Sequence, residues 1–179
     1  MIAPPSFKAA LPPREPPTLR TERLVLRPHT RSDWPAYRAF MASDRAAFIG
    51  GPFGEAAAWG WFCSDFGQWG LVGGGALAVE ADGAMVGQVV LNDLPTFPEF
   101  ELGWLVFEGH EGKGYLTEAA RAFRDWVRAE IAPPSLVSYI SPANARSLAL
   151  AERLGATPDD AAPRPDADDV VMRHWGSAA

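Results

Sequence analysis

The chain has 179 residues, 47% of them hydrophobic, and this length and composition suit one folded domain with a full core. A formal net charge of −6 and a sequence pI near 5.0 give no overall basic field, which argues against a protein that holds nucleic acid through its net charge. Cys63 is the only cysteine, so an intramolecular disulfide and a zinc cluster built from thiolates are excluded and a cytoplasmic location is favoured.

The N-terminal region predicts an arm rather than a targeting signal. Residues 1–17 contain six prolines and scattered charges, which favour an extended, weakly ordered segment ahead of a single domain over residues 18–179. This arm lacks the apolar core of a signal peptide, and no stretch of the chain approaches ~20 uninterrupted apolar residues. We therefore expect neither secretion by that route nor a membrane span.

The first half of the domain predicts one strand and two helices. Residues 18–27 alternate as a strand with Leu24 and Leu26 on one face, and Ser32 is a candidate N-cap for the helix that follows. A second helix follows a glycine-rich break at residues 50–54. Its aromatic residues suggest one face with Trp59, Phe62 and Phe66 and another with Trp61 and Trp69, a pattern that is more often core than site.

The middle of the chain predicts three antiparallel strands in a meander. Residues 76–80 and 85–91 are apolar runs joined by Asp82-Gly83, which is a strong hairpin signal. Residues 99–107 form the third strand. The later elements are a helix over residues 117–131, a strand at 136–140, a helix over 144–154 capped by Gly155, and a strand at 170–175.

The segment between the third strand of the meander and the next helix predicts an anion site. Gly112 and Gly114 permit left-handed backbone and close approach to a ligand, and Lys113 adds a positive charge. A helix that begins near Thr117 directs its unpaired N–H groups and the positive end of its dipole to the same place. The spacing fits neither a P-loop nor the dinucleotide fingerprint, since Lys113 is followed by glycine and the third glycine of the fingerprint is replaced by Thr117.

Two runs of sequence resemble the GNAT acyltransferase superfamily, in particular its ribosomal-protein N-terminal acetyltransferase-like branch. The first is Glu101-Leu102-Gly103-Trp104-Leu105-Val106 with Gly112-Lys113-Gly114-Tyr115 and Thr117-Glu118-Ala119, and the second is Asn144-Ala145-Arg146-Ser147 with Leu154-Gly155. The chain departs from the pattern at Glu111, where Gln or Arg is frequent, and at Leu116, where Gly or Ala is frequent. The resemblance implies an α+β fold in α/β/α layers, with a mixed, mostly antiparallel sheet of about seven strands, four flanking helices and splayed central parallel strands.

The resemblance also implies which residues bind acetyl-CoA as cosubstrate. The backbone from Gly112 to Thr117 would hold the diphosphate, the strand would pair with pantetheine, and Asn144 would bond near it. We expect the Glu111 carboxylate to face solvent, away from phosphate. The full set implied is Trp104, Leu105, Val106, Gly112, Lys113, Gly114, Tyr115, Leu116, Thr117, Asn144 and Ser147.

The catalytic residues implied by the resemblance are Glu101 and Ser147. An amine with a pKa near ~10.4 must lose a proton before it attacks, and Glu101, or Glu99 as the alternative, is placed to take it. Ser147 would stabilise or protonate the departing thiolate, because the tyrosine that many members use is replaced by Ala151. No metal is implied. His110 in a polar turn suggests a surface residue, and His29 and His174 have no recognisable partner in the sequence.

The resulting hypothesis is an N-acetyltransferase that moves an acetyl group from acetyl-CoA to an amine by direct attack in a ternary complex. The acceptor is open between a protein N-terminus and a small-molecule amine, with neither nucleic acid nor membrane as partner. A non-catalytic acyl-CoA-binding or regulatory module, or transfer of another acyl group such as succinyl, are the alternatives. The oligomeric state is open between monomer and homodimer.

Overall fold

The central feature of the computed structural model, which describes residues 11–176, is a mixed sheet of eight strands in the order β1-β2-β3-β4-β5-β6-β8-β7. The pair β5 and β6 is parallel, and each of the other neighbouring pairs is antiparallel. The strands are β1 Leu19–Arg20, β2 Val25–Arg27, β3 Gly75–Ala81, β4 Ala84–Asn92, β5 Glu101–Val106, β6 Leu136–Ile140, β7 Thr157–Pro158 and β8 Val170–Trp175.

Four α-helices flank this sheet. They are α1 Trp34–Met41, α2 Glu55–Val72, α3 Tyr115–Trp126 and α4 Ala145–Arg153. Two 3-10 segments, Arg31–Asp33 and Asp44–Ile49, precede and follow α1, and a π-helical turn, Val127–Ile131, extends α3. The predicted α+β fold of the GNAT type is confirmed, with eight strands where about seven were expected.

Two hydrophobic clusters hold the helices on opposite faces of β4. Val89 and Leu91 belong to a cluster with Phe123 of α3, whereas Gln88 contacts Asp65 of α2. This alternation is what a strand buried on both faces requires. A second cluster joins α1, α2 and the end of β5 through Tyr37, Phe40, Met41, Ala58, Phe62 and Phe107.

The hairpin of the meander and the two ends of α4 agree with the sequence predictions, whereas the short strand β7 was not predicted. Asp82 and Gly83 have φ values of 50° and 77°, as the tight turn between β3 and β4 requires. Asn144 caps α4 by accepting a hydrogen bond from the Ser147 backbone, and Gly155 has a φ of 84° just after that helix.

Three local predictions for the first half were wrong. The strand predicted over residues 18–27 is divided by a turn in which Thr21 N–H donates to the Leu24 carbonyl, giving β1 and β2. Ser32 is not the cap, because Thr30 forms a capping box with Asp33 at the start of the 3-10 segment, and Asp33 is the N-cap of α1. On α2 the buried aromatic residues are Phe62 and Trp69, while Trp59, Trp61 and Phe66 are exposed.

The described part of the N-terminal arm lies against the domain. Leu11 packs on the cluster that contains α3, Arg14 N–H donates to the Trp69 carbonyl over 3.0 Å, and the Arg14 guanidinium lies 6.0 Å from the Trp126 ring. Residues 1–10 of the predicted arm lie outside the described residues.

Candidate functional site

The glycine loop and the first turn of α3 form one rim of the site. Gly112 and Gly114 have φ values of 72° and 79°, in the left-handed region that glycine tolerates. Gly114 caps α3, so the helix begins at Tyr115, earlier than the predicted start near Thr117. The unpaired N–H groups of this first turn therefore follow the loop directly, as a phosphate site requires.

Arg23, which was not selected as a site residue from the sequence, connects this loop to the start of the domain. Its Nη1 donates to the Lys113 carbonyl over 3.1 Å and its Nε donates to Glu118 Oε2 over 2.8 Å. The Arg23 guanidinium also lies 5.2 Å from the centre of the Tyr115 ring. These contacts hold the loop through a backbone carbonyl and two side chains. They use none of the backbone N–H groups of the loop, which can therefore bind a ligand.

Glu111 pairs with Arg45, so the prediction that its carboxylate faces solvent was wrong. Arg45 Nη1 forms an ion pair with Glu111 Oε1, and Arg45 Nη2 donates to the Val106 carbonyl over 3.1 Å. Hydrogen bonding to backbone N–H and the charge of Arg45 lower the pKa of the Glu111 carboxyl. Glu111 and Glu118, which lie on either side of the loop in the sequence, are thus each matched by an arginine.

A cavity of about 1290 Å³, here called the loop cavity, opens beside the glycine loop. It runs between α3 and the N-terminal part of α4, and its walls include the sequence-predicted Gly112, Gly114 and Thr117. Its basic side chains, Arg121, Arg146 and Arg153, were not selected from the sequence. Lys113 is exposed at the rim. The carboxylates of Glu22, Glu111, Glu118 and Asp125 line the same cavity, so the backbone N–H groups of the loop and the first turn of α3, with the arginines beside them, are the part that suits an anionic ligand.

The strands β5 and β6 separate immediately after their single paired position, Glu101 with Val137. The Val137 N–H donates to the Phe100 carbonyl over 3.0 Å, and Ser138 Oγ donates to the Leu102 carbonyl over 2.6 Å. No β5–β6 ladder pair follows Leu102 in the described chain. Beyond this point β5 has a backbone edge that no strand covers.

The alternation of the strand decides which backbone groups lie on the open edge. Since the Phe100 and Leu102 carbonyls point to β6, the backbone groups of Trp104 and Val106 face the gap. All three residues are in register with β4, but the backbone groups of Leu105, which lies between the other two, point to β4 and not to the gap. Of the three predicted strand residues, Trp104 and Val106 therefore present backbone groups to the gap. The Val106 carbonyl already accepts a hydrogen bond from Arg45.

Asn144 and Ser147 lie on the far side of the gap at the start of α4. Trp104 Nε1 donates to Ser147 Oγ over 3.2 Å, which joins β5 and α4 across the gap. Asn144 Oδ1 accepts the Ser147 N–H over 3.2 Å. The fold thus places Asn144 and Ser147 beside β5, as the resemblance implied.

A second cavity of about 530 Å³, here called the sheet cavity, lies over β4 and β5 and reaches α1 and α2. Val106 and Arg146 line both cavities, so the two meet at the gap. The exposed Phe48 and Trp61 stand among its lining residues. The walls are mostly apolar, with lining side chains that include Tyr37, Phe40, Met41, Phe48, Ile49, Trp61, Val90, Phe97, Trp104 and Tyr139.

Glu101 lies in the floor of the sheet cavity with 8% of its surface exposed. Asn92 Nδ2 donates to Glu101 Oε2 over 2.7 Å. A Cβ atom at Gly103 would lie 3.1 Å from that same oxygen, so glycine leaves room for the carboxylate. The carboxylate is therefore oriented, and it borders the cavity.

Glu99 has a different environment, although it is only two residues away. It is 2% exposed and forms a bidentate ion pair with Arg173, with both N–O distances at 2.9 Å. Burial alone would raise the pKa of the Glu99 carboxyl, but hydrogen bonds from Arg173 and Ser135 outweigh it and hold that pKa below its usual range. Glu99 does not line the sheet cavity.

The histidines divide as buried and surface residues. Burial lowers the pKa of both His29 and His174 to about 4, so each is neutral near pH 7. His174 does have a partner, contrary to the sequence-based expectation, since its Nε2 lies 3.1 Å from Ser138 Oγ. His110 borders the loop cavity.

Metal-binding side-chain clusters and membrane-spanning helices are not found within residues 11–176. No group of three or more His, Cys, Asp or Glu side chains there is arranged to hold a metal ion. Cys63 is exposed on α2 and lines neither cavity. None of the described helices combines the length and apolar character needed to cross a membrane.

Comparison with known proteins agrees with this arrangement. A family model described as an acetyltransferase (GNAT) domain matches residues 23–157. An acetyltransferase from Agrobacterium tumefaciens is 51% identical, with 90% of this chain and 96% of that chain covered at a TM-score of 0.86. A candidate GNAT-family acetyltransferase from Bordetella pertussis is 27% identical, with 88% and 98% covered at a TM-score of 0.71.

A more distant likeness extends the agreement in fold. A ribosomal L7/L12 alpha-N-protein acetyltransferase, solved in complex with coenzyme A, is 19% identical, with 86% of this chain and 93% of that chain covered at a TM-score of 0.65. The family match spans the glycine loop, the open edge of β5 and the start of α4, which are the parts that build the two cavities. By its sequence, its fold and this match, the chain belongs to the GNAT acetyltransferase family.

Proposed function

We propose that the protein moves an acetyl group from acetyl-CoA to a primary amine by direct attack in a ternary complex. The observation that carries the proposal is the separation of β5 from β6 after Leu102, because it connects the loop cavity with the sheet cavity. A thioester carrier in one cavity and an amine in the other would meet beside Trp104 and Ser147. Two substrates held in contact need no covalent enzyme intermediate.

The loop cavity fits coenzyme A. The backbone from Gly112 to Thr117 is offered to the diphosphate, with Lys113 and Arg146 as supporting charges. The open backbone edge at Trp104 suits the amide groups of pantetheine, and Asn144 stands beside it at the head of α4. A Cβ atom at Gly112 would meet nothing within 4 Å, which is the space that a close ligand needs.

The reaction assigns one role to the thioester and one to each of three groups of the protein. The thioester supplies an activated carbonyl carbon. Glu101 takes a proton from the amine as the new C–N bond forms, directly or through a water molecule. A backbone N–H on the open edge of β5, at Trp104 or Val106, stabilises negative charge on the carbonyl oxygen. Ser147 Oγ gives a hydrogen bond or a proton to the sulfur as the C–S bond breaks.

Two measurements test the proposal. Isotopically labelled acetyl-CoA is incubated with the protein and a panel of amines and N-terminal peptides, and mass spectrometry is expected to show labelled amide products together with free coenzyme A. Free coenzyme A without any labelled amide would contradict transfer to an amine. Succinyl-CoA in the same assay tests the breadth of the donor.

The position of the donor is tested separately by calorimetry. Gly114→Trp places a bulky side chain at the loop and is expected to weaken acetyl-CoA binding at least tenfold, which is ~1.4 kcal/mol. Gly109→Ala is the matched control, because Gly109 has a φ of 80°, close to the 79° of Gly114, but borders neither cavity. Unchanged affinity in Gly114→Trp would show that the diphosphate does not bind at this loop.

We further propose that the protein is cytoplasmic and is a monomer or a homodimer.

A further inference from the structure

The sheet cavity contains a buried carboxylate that no step above uses. Asp65, on α2, is 4% exposed and lines this cavity. Tyr37 OH and Gln88 Nε2 each donate to its Oδ2 over 2.8 Å. Tyr37 comes from α1 and Gln88 from β4, so three elements converge on one carboxylate oxygen.

The Asp65 carboxylate has no positively charged partner among the described residues. Its two hydrogen-bond donors are neutral, and the nearby His29 is neutral as well, because burial lowers the pKa of that histidine to about 4. Burial raises the pKa of Asp65 to about 6, so the carboxylate is mostly ionised near pH 7. Buried charges are normally paired, and an unpaired one lowers stability.

Hydrogen-bonding capacity also remains unused at this position. Both hydrogen bonds end on Oδ2, and Oδ1 receives none from the described residues. The Gln88 amide nitrogen donates to Asp65, and the Gln88 side chain also interacts with the buried His29 imidazole, which is the donor within the protein for its Oε1. Native proteins satisfy nearly all such buried atoms. Asp65 Oδ1 is thus an acceptor without a donor on a carboxylate that lines the cavity, and it can accept a hydrogen bond from a ligand with N–H groups.

The location of this cluster relative to Glu101 sets the size of the ligand. Gln88 and Asn92 lie on the same face of β4, and they hold Asp65 and Glu101 respectively. Four residues along a strand span ~13 Å. Val90 lies between them in the floor, and apolar and aromatic side chains form the walls. The cavity thus has two buried carboxylates, Asp65 and Glu101, separated by an apolar length, and Asp169 is a third, less buried carboxylate among its lining residues.

We propose that the amine acceptor is a diamine, whose reacting nitrogen lies at Glu101 while its second, positively charged nitrogen binds Asp65. This assignment rests on the proposed function, since it requires Glu101 to mark the reacting end. The apolar walls would hold the spacer, and Tyr37 adds an aromatic ring near the bound cation. Arg45, the other charged residue of the cavity near α1, is already paired with Glu111 and so leaves Asp65 unopposed.

The test compares α,ω-diaminoalkanes with n-alkylamines of matched chain length as acceptors. The wild-type protein is expected to prefer the diamine at least tenfold in kcat/KM, with a preference that grows until the spacer spans the two carboxylates. In Asp65→Asn this ratio is expected to fall by at least tenfold, mainly through KM. Tyr37→Phe keeps the charge but removes one donor and is expected to give a smaller loss.

Three readouts separate this inference from the proposed function. Calorimetry with acetyl-CoA must give the wild-type affinity in Asp65→Asn, which confirms that the variant is folded. A wild-type protein that acetylates both amine series equally would overturn the diamine assignment and keep the transferase. An equal loss of both series in Asp65→Asn would mean that Asp65 is structural. Acetylation of neither series, with acetyl-CoA still bound, would also overturn the assignment.

Discussion

Trp104 Nε1 donates a hydrogen bond to Ser147 Oγ over 3.2 Å, and this bond is the side-chain link across the gap between β5 and α4. It orients the serine hydroxyl because the indole nitrogen can only donate, so the hydroxyl hydrogen is directed elsewhere. Ser147 N–H is at the same time held by Asn144 Oδ1. The hydroxyl is therefore positioned to donate into the gap, where the sulfur of a thioester would lie.

This relationship predicts a defect in turnover for Ser147→Ala. We expect kcat to fall on the order of 10- to 100-fold, since one donor to a developing charge contributes roughly that much. The dissociation constant of acetyl-CoA should stay within about twofold, because a loss confined to the transition state affects kcat. Steady-state kinetics and calorimetry give the two quantities.

Trp104→Phe provides the control for that variant. It removes the indole N–H but retains an aromatic ring, so its loss should be smaller than that of Ser147→Ala. The double variant should be no worse than Ser147→Ala alone, because the two residues act through one hydrogen bond. Additive losses would show that Trp104 contributes through packing instead.

The Glu101→Gln variant is predicted to lose activity, whereas the Glu99→Gln variant is predicted to lose stability. The glutamine at position 101 can still pair with Asn92 but cannot accept a proton, so kcat/KM should fall on the order of 100-fold. A loss below about threefold, equivalent to ~0.7 kcal/mol, would remove Glu101 from the mechanism. The fall in rate at low pH, where a general base becomes protonated, should also be weaker in this variant.

The Glu99→Gln control depends on the bidentate pair with Arg173. Because the pKa of Glu99 is lowered in the native state, its carboxylate contributes stability above its unfolded pKa, and that contribution is lost as pH falls. The variant should therefore melt at a lower temperature near pH 7 and retain kcat/KM. Loss of activity with an unchanged melting temperature would make Glu99 the base.

Asp65→Asn is predicted to stabilise the protein near neutral pH. Burial raises the pKa of Asp65 from its ordinary value of 3.8 to about 6, so between these values the native state keeps a proton that the unfolded chain has released. The free energy of unfolding falls as pH rises through that window, by roughly 2 to 3 kcal/mol. The amide variant avoids this cost, and its melting temperature should exceed that of the wild type at pH 8.

The advantage of Asp65→Asn should shrink at pH 5, where the wild-type carboxyl is protonated. Asp33→Asn is the control of opposite sign. Burial disfavours the Asp33 carboxylate, but hydrogen bonds from Arg27 and Thr30 lower its pKa overall, so removing it should destabilise the protein at pH 8. Destabilisation of Asp65→Asn at every pH would mean that its carboxylate has a favourable native environment.

The parts of the fold that the sequence predicted are those encoded locally. Alternation, Asp82-Gly83 and the Asn144 cap lie within a few residues of the structure they specify, and so do Gly112 and Gly114. The face of α2 was predicted wrongly because apolar and aromatic residues surround that helix, which leaves no single stripe to orient it. Asp65 stood in this ambiguous helix and was not selected as a site residue.

The arginines of the site were missed for a different reason. Arg23 bonds to Glu118 over 95 positions and Arg45 to Val106 over 61, and no local pattern encodes such pairs. The missing partner mattered most for Glu111. Its negative charge is unfavourable beside a phosphate loop when considered alone, but in the fold it is paired with Arg45. Charge at a binding loop has to be judged together with partners that only the fold reveals.

Arg45→Met is predicted to weaken acetyl-CoA binding by exposing the Glu111 charge. Without its partner, the carboxylate stands beside the loop proposed for the diphosphate, and the dissociation constant should rise about 5- to 10-fold, or ~1 to 1.4 kcal/mol. The effect should decrease with added salt, because the charges are partly exposed. Calorimetry at two ionic strengths measures both quantities.

A charge cycle decides whether Glu111 or the Val106 carbonyl is responsible for that loss. In Arg45→Met with Glu111→Gln the repulsion is absent while the contact to Val106 is still missing, so affinity should return to near the wild-type value. Arg38→Met is the matched control, because its pair with Glu55 is exposed and far looser, at 3.6 Å, and should leave the affinity unchanged. A double variant that binds as weakly as Arg45→Met would place the contribution in the Arg45 contact with Val106, and the ion pair would then have no part in donor binding.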